Sequence, residues 1–205
     1  MKKIKIKFVD FWNGFDIYDN IFVDCIKKKY DIEFSDNPDY IIYSVFGNEY
    51  LNYNCVRIFY TGENIRPDFN LCDYALGFDY IDFEDRYMRL PLYLFNHYRK
   101  DLDNAINKHN LDKDKVLGKK LFCNFVYSNG NADKKRTEFF NMLNEYKKVD
   151  SGGKYLNNIG GPIEDKFEFQ KKYKFSIAFE NSSTSGYTTE KLIQAVAAGT
   201  IPIYW

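Results

Sequence analysis

The chain has 205 residues, 45% of them hydrophobic and 28% charged, which suits one large globular domain or two smaller ones and excludes a disordered polymer. Lysine and arginine number 29 against 29 aspartates and glutamates, so no net field recruits a nucleic acid or an anionic membrane. The 4 cysteines form no C-x-x-C pair and the 2 histidines are His97 and His109, which argues against disulfide frameworks, zinc sites and Ser–His triads.

No apolar run approaches the ~20 residues of a membrane span. The start "MKKIKIKFVDF" is basic but alternates like a strand, and no uninterrupted apolar stretch follows it as a signal peptide requires. The expected setting is cytoplasmic and reducing, with peripheral attachment to an inner membrane left open for a longer form.

In chain order, "KIKIKFVDF" predicts a first strand, and Ile17, Ile21, Phe22, Cys25 and Ile26 predict a helix over Ile17–Lys29. The runs "DYIIYSVFG", "VRIFYTGEN" and "CDYALGFD" are short, apolar and closed by turn residues, as buried parallel strands are. "RYMRLPLY" is extended, and Pro91 argues against a central place in a sheet. A charged stretch, "NHYRKDLDNAINKHNLDKDKVLGKK", then predicts a connection containing some helix.

The second half resumes with strand "LFCNFVYS" and a helix over "ADKKRTEFFNMLNEY", with Phe139, Phe140, Leu143 and Tyr146 on its apolar face. "KKVDSGGK" predicts a short strand entering a glycine turn, and "EDKFEFQKKY" a helix. "KFSIAFEN" and "TIPIYW" are strands around the helix "TTEKLIQAVAAG", with Gly199 placed as a left-handed stop. The alternation predicts α/β architecture with doubly wound parallel sheets. The expected organisation is an N-terminal α/β lobe over 1–96, a polar connection over 97–118 and a nucleotide-binding α/β lobe over 119–205.

Ligands of such sheets bind beyond the carboxyl ends of the strands, which makes the polar loops there the candidates. Glu180 and Asn181 stand where "FSIAFEN" ends, and a carboxylate there can accept both hydroxyls of a ribose. Thr188 can cap the next helix, whose first turn holds Glu190 and Lys191; a helix start plus a lysine can hold a diphosphate. One unit earlier, Ser128, Asn129 and Gly130 follow a strand, and Arg136 lies on the helix after them, where its fork could take phosphate oxygens. Spacing alone leaves both cations open between phosphate ligands and solvated helix residues. Glu63, in "YTGEN" after a strand, is a candidate general base or a plain turn glutamate. "DSGGK" lacks the spacing of a phosphate loop and is weak by itself.

"YKFSIAFENSSTSGYTTEKLIQAVAAGTIPIYW" resembles the signature of the α-1,3-fucosyltransferases, glycosyltransferase family 10. "RIFYTGENIRPDFNLCDYALGFDYIDFEDRYMRLPLY" and "FVYSNGNADKKRTEFFNMLNEYKKVDSGGKYLNNIGG" extend the resemblance over most of Arg57–Trp205, in the right order and closest to the bacterial type. The resemblance implies two facing Rossmann-like lobes of the GT-B type. It implies inverting transfer of L-fucose from GDP-β-L-fucose to a hydroxyl of N-acetylglucosamine or glucose in an oligosaccharide acceptor. Glu63 would be the general base. Arg136 and Lys191 would neutralise the diphosphate, and Ser128, Asn129, Glu180, Asn181, Tyr187 and Glu190 would complete the donor pocket. No cofactor and no metal is expected, since no D-x-D motif stands at a strand end.

The family's chain continues past "IPIYW", so the second lobe is expected to be incomplete at its C-terminus. An exposed last strand leaves self-association along that edge open. Two other readings also stay open: a fragment that binds nucleotide without transfer, and a related transferase with another donor such as GDP-mannose.

Overall fold

The computed structural model describes residues 1–107 and 113–205, in two compact units, Met1–Pro91 and Leu92–Trp205. His109 and part of the expected polar connection lie outside the described residues.

The first unit is a six-stranded parallel sheet ordered β2-β1-β3-β4-β5-β6. Its strands are β1 (Lys2–Val9), β2 (Tyr30–Phe34), β3 (Tyr40–Tyr43), β4 (Val56–Tyr60), β5 (Tyr74–Gly77) and β6 (Tyr87–Arg89). Strand β1 pairs Lys2 with Tyr30 on one side and Ile6 with Tyr40 on the other. Val9, Ile41, Tyr43, Phe59, Cys72, Ala75 and Tyr87 form one buried cluster. Phe8, Phe11, Phe15, Phe22 and Tyr60 form a second aromatic group, with Phe11 stacked on Phe15 at 4.0 Å.

Helix α1 covers only Ile21–Ile26, shorter than the expected Ile17–Lys29. Asn20 stops it on the N-terminal side: its Oδ1 accepts from the amides of Phe22 and Val23 at 3.0 and 3.1 Å. The strand β2 that follows was not expected. It is an outer strand of 5 residues, exposed at Tyr30 and Asp31 and half-buried at Ile32, Glu33 and Phe34, so its apolar signal is short. Strand β6 is the other outer strand, and Pro91 follows it.

The second unit opens with short 3-10 turns at Leu92–Leu94 and Asn96–Tyr98, followed by α2 (Arg99–Asn107) and α3 (Lys113–Leu117). Strands β7 (Leu121–Phe125), β8 (Val149–Ser151), β9 (Tyr173–Ile177) and β10 (Ile201–Ile203) form a four-stranded parallel sheet ordered β10-β9-β7-β8. Helices α4 (Lys134–Tyr146), α5 (Lys166–Gln170) and α6 (Glu190–Ala197) connect them. The core joins Cys123, Phe125, Tyr127, Phe140, Val149, Ile177 and Phe179. Phe139 and Leu143 pack against it, but Tyr146 is 82% exposed, contrary to its expected place on the apolar face. It is the last residue of α4, at the end of the helix.

Polar groups inside this sheet are paired. Asn124 Nδ2 donates to Phe175 O at 3.0 Å and to Ser176 Oγ at 2.7 Å, and Thr200 Oγ1 donates to Ala195 O at 2.8 Å. Gly199 closes α6 at φ +66°, the left-handed stop expected of it. Among the described residues no helix is long and apolar enough to cross a membrane.

Candidate active site

Because β7, β8 and β9 run parallel, the chain leaves all three at one edge of the sheet. A cavity of about 430 Å³ lies there, lined among others by Tyr127, Ser128, Asn129, Arg136, Gly152, Gly153, Lys154, Lys166, Asn181, Glu190 and Lys191. Six of the expected donor-pocket residues, Ser128, Asn129, Arg136, Asn181, Glu190 and Lys191, thus share one cavity.

The cavity floor depends on glycine. A Cβ on Gly153 would run into the backbone of Tyr127, so the turn after β8 can lie against the turn after β7 only with no side chain there. Tyr155 N donates to Tyr127 O at 2.9 Å across this approach. The "DSGGK" stretch, weak as a motif, therefore supplies cavity wall.

Arg136 is the central cation. It is 1% exposed, its Nη1 donates to Asn181 Oδ1 at 2.9 Å, and Nη2 donates to the carbonyl of Asn129. The guanidinium lies 4.2 Å over the ring of Tyr127, whose hydroxyl reaches the carbonyls of Ile177 and Phe179, each at 3.0 Å. Its Nε is buried and makes no hydrogen bond among the described residues, and no carboxylate there forms an ion pair with it. Burial lowers its pKa, with Tyr127, Tyr155 and the Glu180 carboxylate acting the other way. A buried cation with no ion-pair partner is costly in isolation, and an anion bound beside it offsets part of that cost.

Lys191 is differently placed. Its Nζ lies 3.3 Å from Glu180 Oε2, 3.0 Å from Thr189 Oγ1 and 3.4 Å from Glu190 Oε1, so its charge is shared by two carboxylates. Burial by itself would raise the Glu190 carboxyl, but Lys191 and Lys166 more than offset this and hold it below its usual range. Glu190 is therefore an anion at neutral pH.

Glu180 and Tyr187 do not line the cavity. Glu180 is 1% exposed, and its carboxylate accepts from Thr189 N at 2.7 Å, Thr189 Oγ1 at 2.6 Å and Tyr204 Oη at 3.3 Å, as well as from Lys191. These bonds tie the carboxylate to the start of α6. The cap is also one residue later than expected: Thr189, not Thr188, precedes the helix, and the backbone amide of Thr189 is satisfied by Glu180. Tyr187 is 4% exposed, and its carbonyl lies 3.3 Å from Tyr204 Oη.

Glu63 belongs to the first unit. It is exposed just beyond the carboxyl end of β4, where Thr61 Oγ1 accepts from its amide at 2.9 Å and donates to its carbonyl at 3.0 Å. This short turn fixes the backbone and directs the residue away from the core.

Sequence reasoning missed Lys154 and Lys166 in the cavity wall. Lys154 closes the weak "DSGGK" stretch just after β8, whereas Lys166 lies in no recognisable motif and only the folding back of the segment between β8 and β9 brings it there.

The chain thus has two parallel α/β units, the second with a polar, cation-lined cavity at its strand ends, where open α/β sheets commonly place their ligands. Residues 6–96 match the model of the "Alpha-(1,3)-fucosyltransferase FucT N-terminal domain", and residues 116–205 match "Glycosyltransferase family 10 (fucosyltransferase) C-term". A Helicobacter pylori α-(1,3)-fucosyltransferase is 34% identical over 240 aligned residues, covering 98% of this chain and 50% of that protein. A crystal structure of an α1,3-fucosyltransferase superposes with a TM-score of 0.84 at 32% identity, covering 100% of this chain and 69% of that one. A form of such an enzyme with GDP-fucose superposes at 0.80. The chain belongs to glycosyltransferase family 10, the fucosyltransferases, and spans about half the length of its Helicobacter relative.

Proposed function

We propose that the protein is an inverting α-1,3-fucosyltransferase that moves L-fucose from GDP-β-L-fucose to a hydroxyl of N-acetylglucosamine or glucose in a glycan. The observation that carries this reading is Arg136: a buried guanidinium at the strand-end cavity, with an unsatisfied Nε and no carboxylate partner among the described residues. In a family-10 chain, the diphosphate of the donor is the anion that suits it.

In this mechanism Glu63 takes the proton of the acceptor hydroxyl, whose oxygen bonds to C1 of fucose. The bond from C1 to the β-phosphate oxygen breaks, and GDP leaves with the electron pair. Arg136, with Lys191 nearby, stabilises the charge that gathers on the departing phosphate. Glu190, held ionised, offers negative charge to a sugar carbon that becomes electron-poor as the bond breaks. Ser128, Asn129 and Asn181 supply polar walls, while Glu180 and Tyr187 support the pocket from behind.

The test is release of GDP from GDP-fucose in the presence and absence of N-acetyllactosamine. Acceptor-dependent release supports the reading. Absence of release while GDP still raises the melting temperature assigns the chain to nucleotide binding without transfer, and a larger shift with GDP-mannose or a UDP-sugar assigns another donor. Association along the outer strand β10, where Ile201 is 41% exposed, is a separate expectation that sedimentation at rising concentration reads directly.

A further inference from the structure

We infer that Lys166, at the start of α5, is a ligand-contacting cation of the same cavity, binding the phosphate part of the ligand beside Arg136 and held in place by Gln194 and Asp101. The inference rests on the reading of this cavity as an anion site and adds a residue that no motif marks.

The cavity wall holds four cations, Arg136, Lys154, Lys166 and Lys191. Lys154 is exposed, and Lys191 is compensated by Glu180 and Glu190. Lys166 resembles Arg136 instead. Its Nζ donates to one neutral acceptor, Gln194 Oε1, at 2.7 Å, and no carboxylate among the described residues stands at ion-pair distance. An ammonium has three N–H donors, so two remain for a ligand. Burial lowers its pKa; Lys191 lowers it further, and Glu190, Asp101 and Glu180 act the other way. Two under-compensated cations in one cavity match an anion of more than one charge.

The orientation of Gln194 follows from its neighbours. Its Nε2 donates to Asp101 Oδ2 at 3.0 Å, while its Oε1 faces Lys166. A carboxylate only accepts and an ammonium only donates, so the amide between them has one satisfied orientation. Asp101 lies on α2 and Gln194 on α6, so a helix of the polar connection helps to set the position of a cavity cation. Asp101 and Gln194 are positioning residues here, and Lys166 is the contact.

The experiment is calorimetric titration of this chain with three probes: GDP, guanosine and inorganic pyrophosphate. Lys166→Met is expected to weaken GDP and pyrophosphate by about ten- to a hundred-fold and to leave guanosine within about two-fold. Lys166→Gln keeps a hydrogen-bonding group towards Gln194 and removes the charge, so it should show the same selective loss even if Lys166→Met folds poorly. Asp101→Leu should cost pyrophosphate a few-fold, and Asp101→Asn, which keeps the acceptor, should restore most of it. Wild-type affinity for pyrophosphate in Lys166→Gln overturns the inference, as does an equal loss of guanosine and GDP, which would mark a purely structural lysine. Lys166-dependent binding of pyrophosphate without any binding of GDP would keep this inference and remove the GDP reading. Binding of neither probe by the wild-type chain overturns both.

Discussion

Arg136 and Asn181 are 45 positions apart in the chain, and a 2.9 Å hydrogen bond from Nη1 to Oδ1 joins them. The same two loops meet again where Asp133 N donates to Asn181 O at 2.7 Å. The turn after β7 and the turn after β9 are thus tied together, and the tie aims a buried cation along the cavity wall. Arg136→Ala removes the side-chain bond of this tie and the charge, and GDP affinity should fall by about ten- to a hundred-fold. Arg136→Lys should recover only part of it, because a point charge cannot reproduce a fork. Raising salt should weaken wild-type binding more than binding to the alanine variant. Equal GDP affinity in the two proteins at low salt would remove Arg136 from the site. Lys191→Ala should cost less than Arg136→Ala, since two carboxylates already compensate Lys191.

Glu63→Gln is expected to abolish fucosyl transfer and to leave GDP affinity within a few-fold. Glutamine keeps the shape of the side chain and cannot accept the acceptor proton, and positioned bases contribute roughly 10²- to 10⁴-fold in rate. Turnover near wild type in this variant would assign the base role to another group.

Glu180 brings a stability prediction. Its carboxylate satisfies the Thr189 amide and hydroxyl and compensates Lys191 while being 1% exposed. Removing one partner of a buried ion pair leaves the other unpaired, so Glu180→Ala should lower unfolding stability by roughly 3–5 kcal/mol, with Glu180→Gln milder. Urea unfolding followed by circular dichroism measures this. A change below about 1 kcal/mol would show that solvent readily replaces the carboxylate.

The cysteines give a chemical readout of the two cores. Burial pushes the Cys72 thiol up to about 11 and the Cys123 thiol up to about 12, whereas Cys25 is exposed. Thiolate is the reactive form, so at about pH 8 Cys25 should label quickly while Cys72 and Cys123 stay protected until the chain unfolds. Peptide mapping after a short alkylation decides it. Modification of Cys123 at the rate of Cys25 would contradict the packing of the second sheet.

Much of the fold was legible because its signals are local. Strands β7 and β9 are apolar runs a few residues long, and α6 shows both helical periodicity and its glycine stop. The shorter α1 and the unexpected β2 have local causes as well. Asn20 captures two amides that a longer α1 would have used differently, and β2 carries too short an apolar signal to stand out. Tyr146 fitted the apolar spacing of α4, but spacing does not say whether the last residue of a helix is covered.

The sequence by itself determined that cationic and polar loops follow strands, that the sheets are parallel, and hence that Ser128, Asn129, Arg136, Asn181, Glu190 and Lys191 gather at one edge. Only the tertiary structure decided how these charges are compensated. Glu180, which in sequence could face a ribose, accepts hydrogen bonds from Thr189 and Lys191, while Arg136, which could have been a surface residue, is buried over the ring of Tyr127 with no ion pair among the described residues. Lys166 enters the cavity through a long segment between strands and is fixed by Gln194 and Asp101, 28 and 93 positions apart from their respective partners. Periodicity is a property of neighbouring residues and can be read along the chain. Desolvation and charge pairing depend on which distant atoms share a few ångströms of space, and only the folded chain sets that.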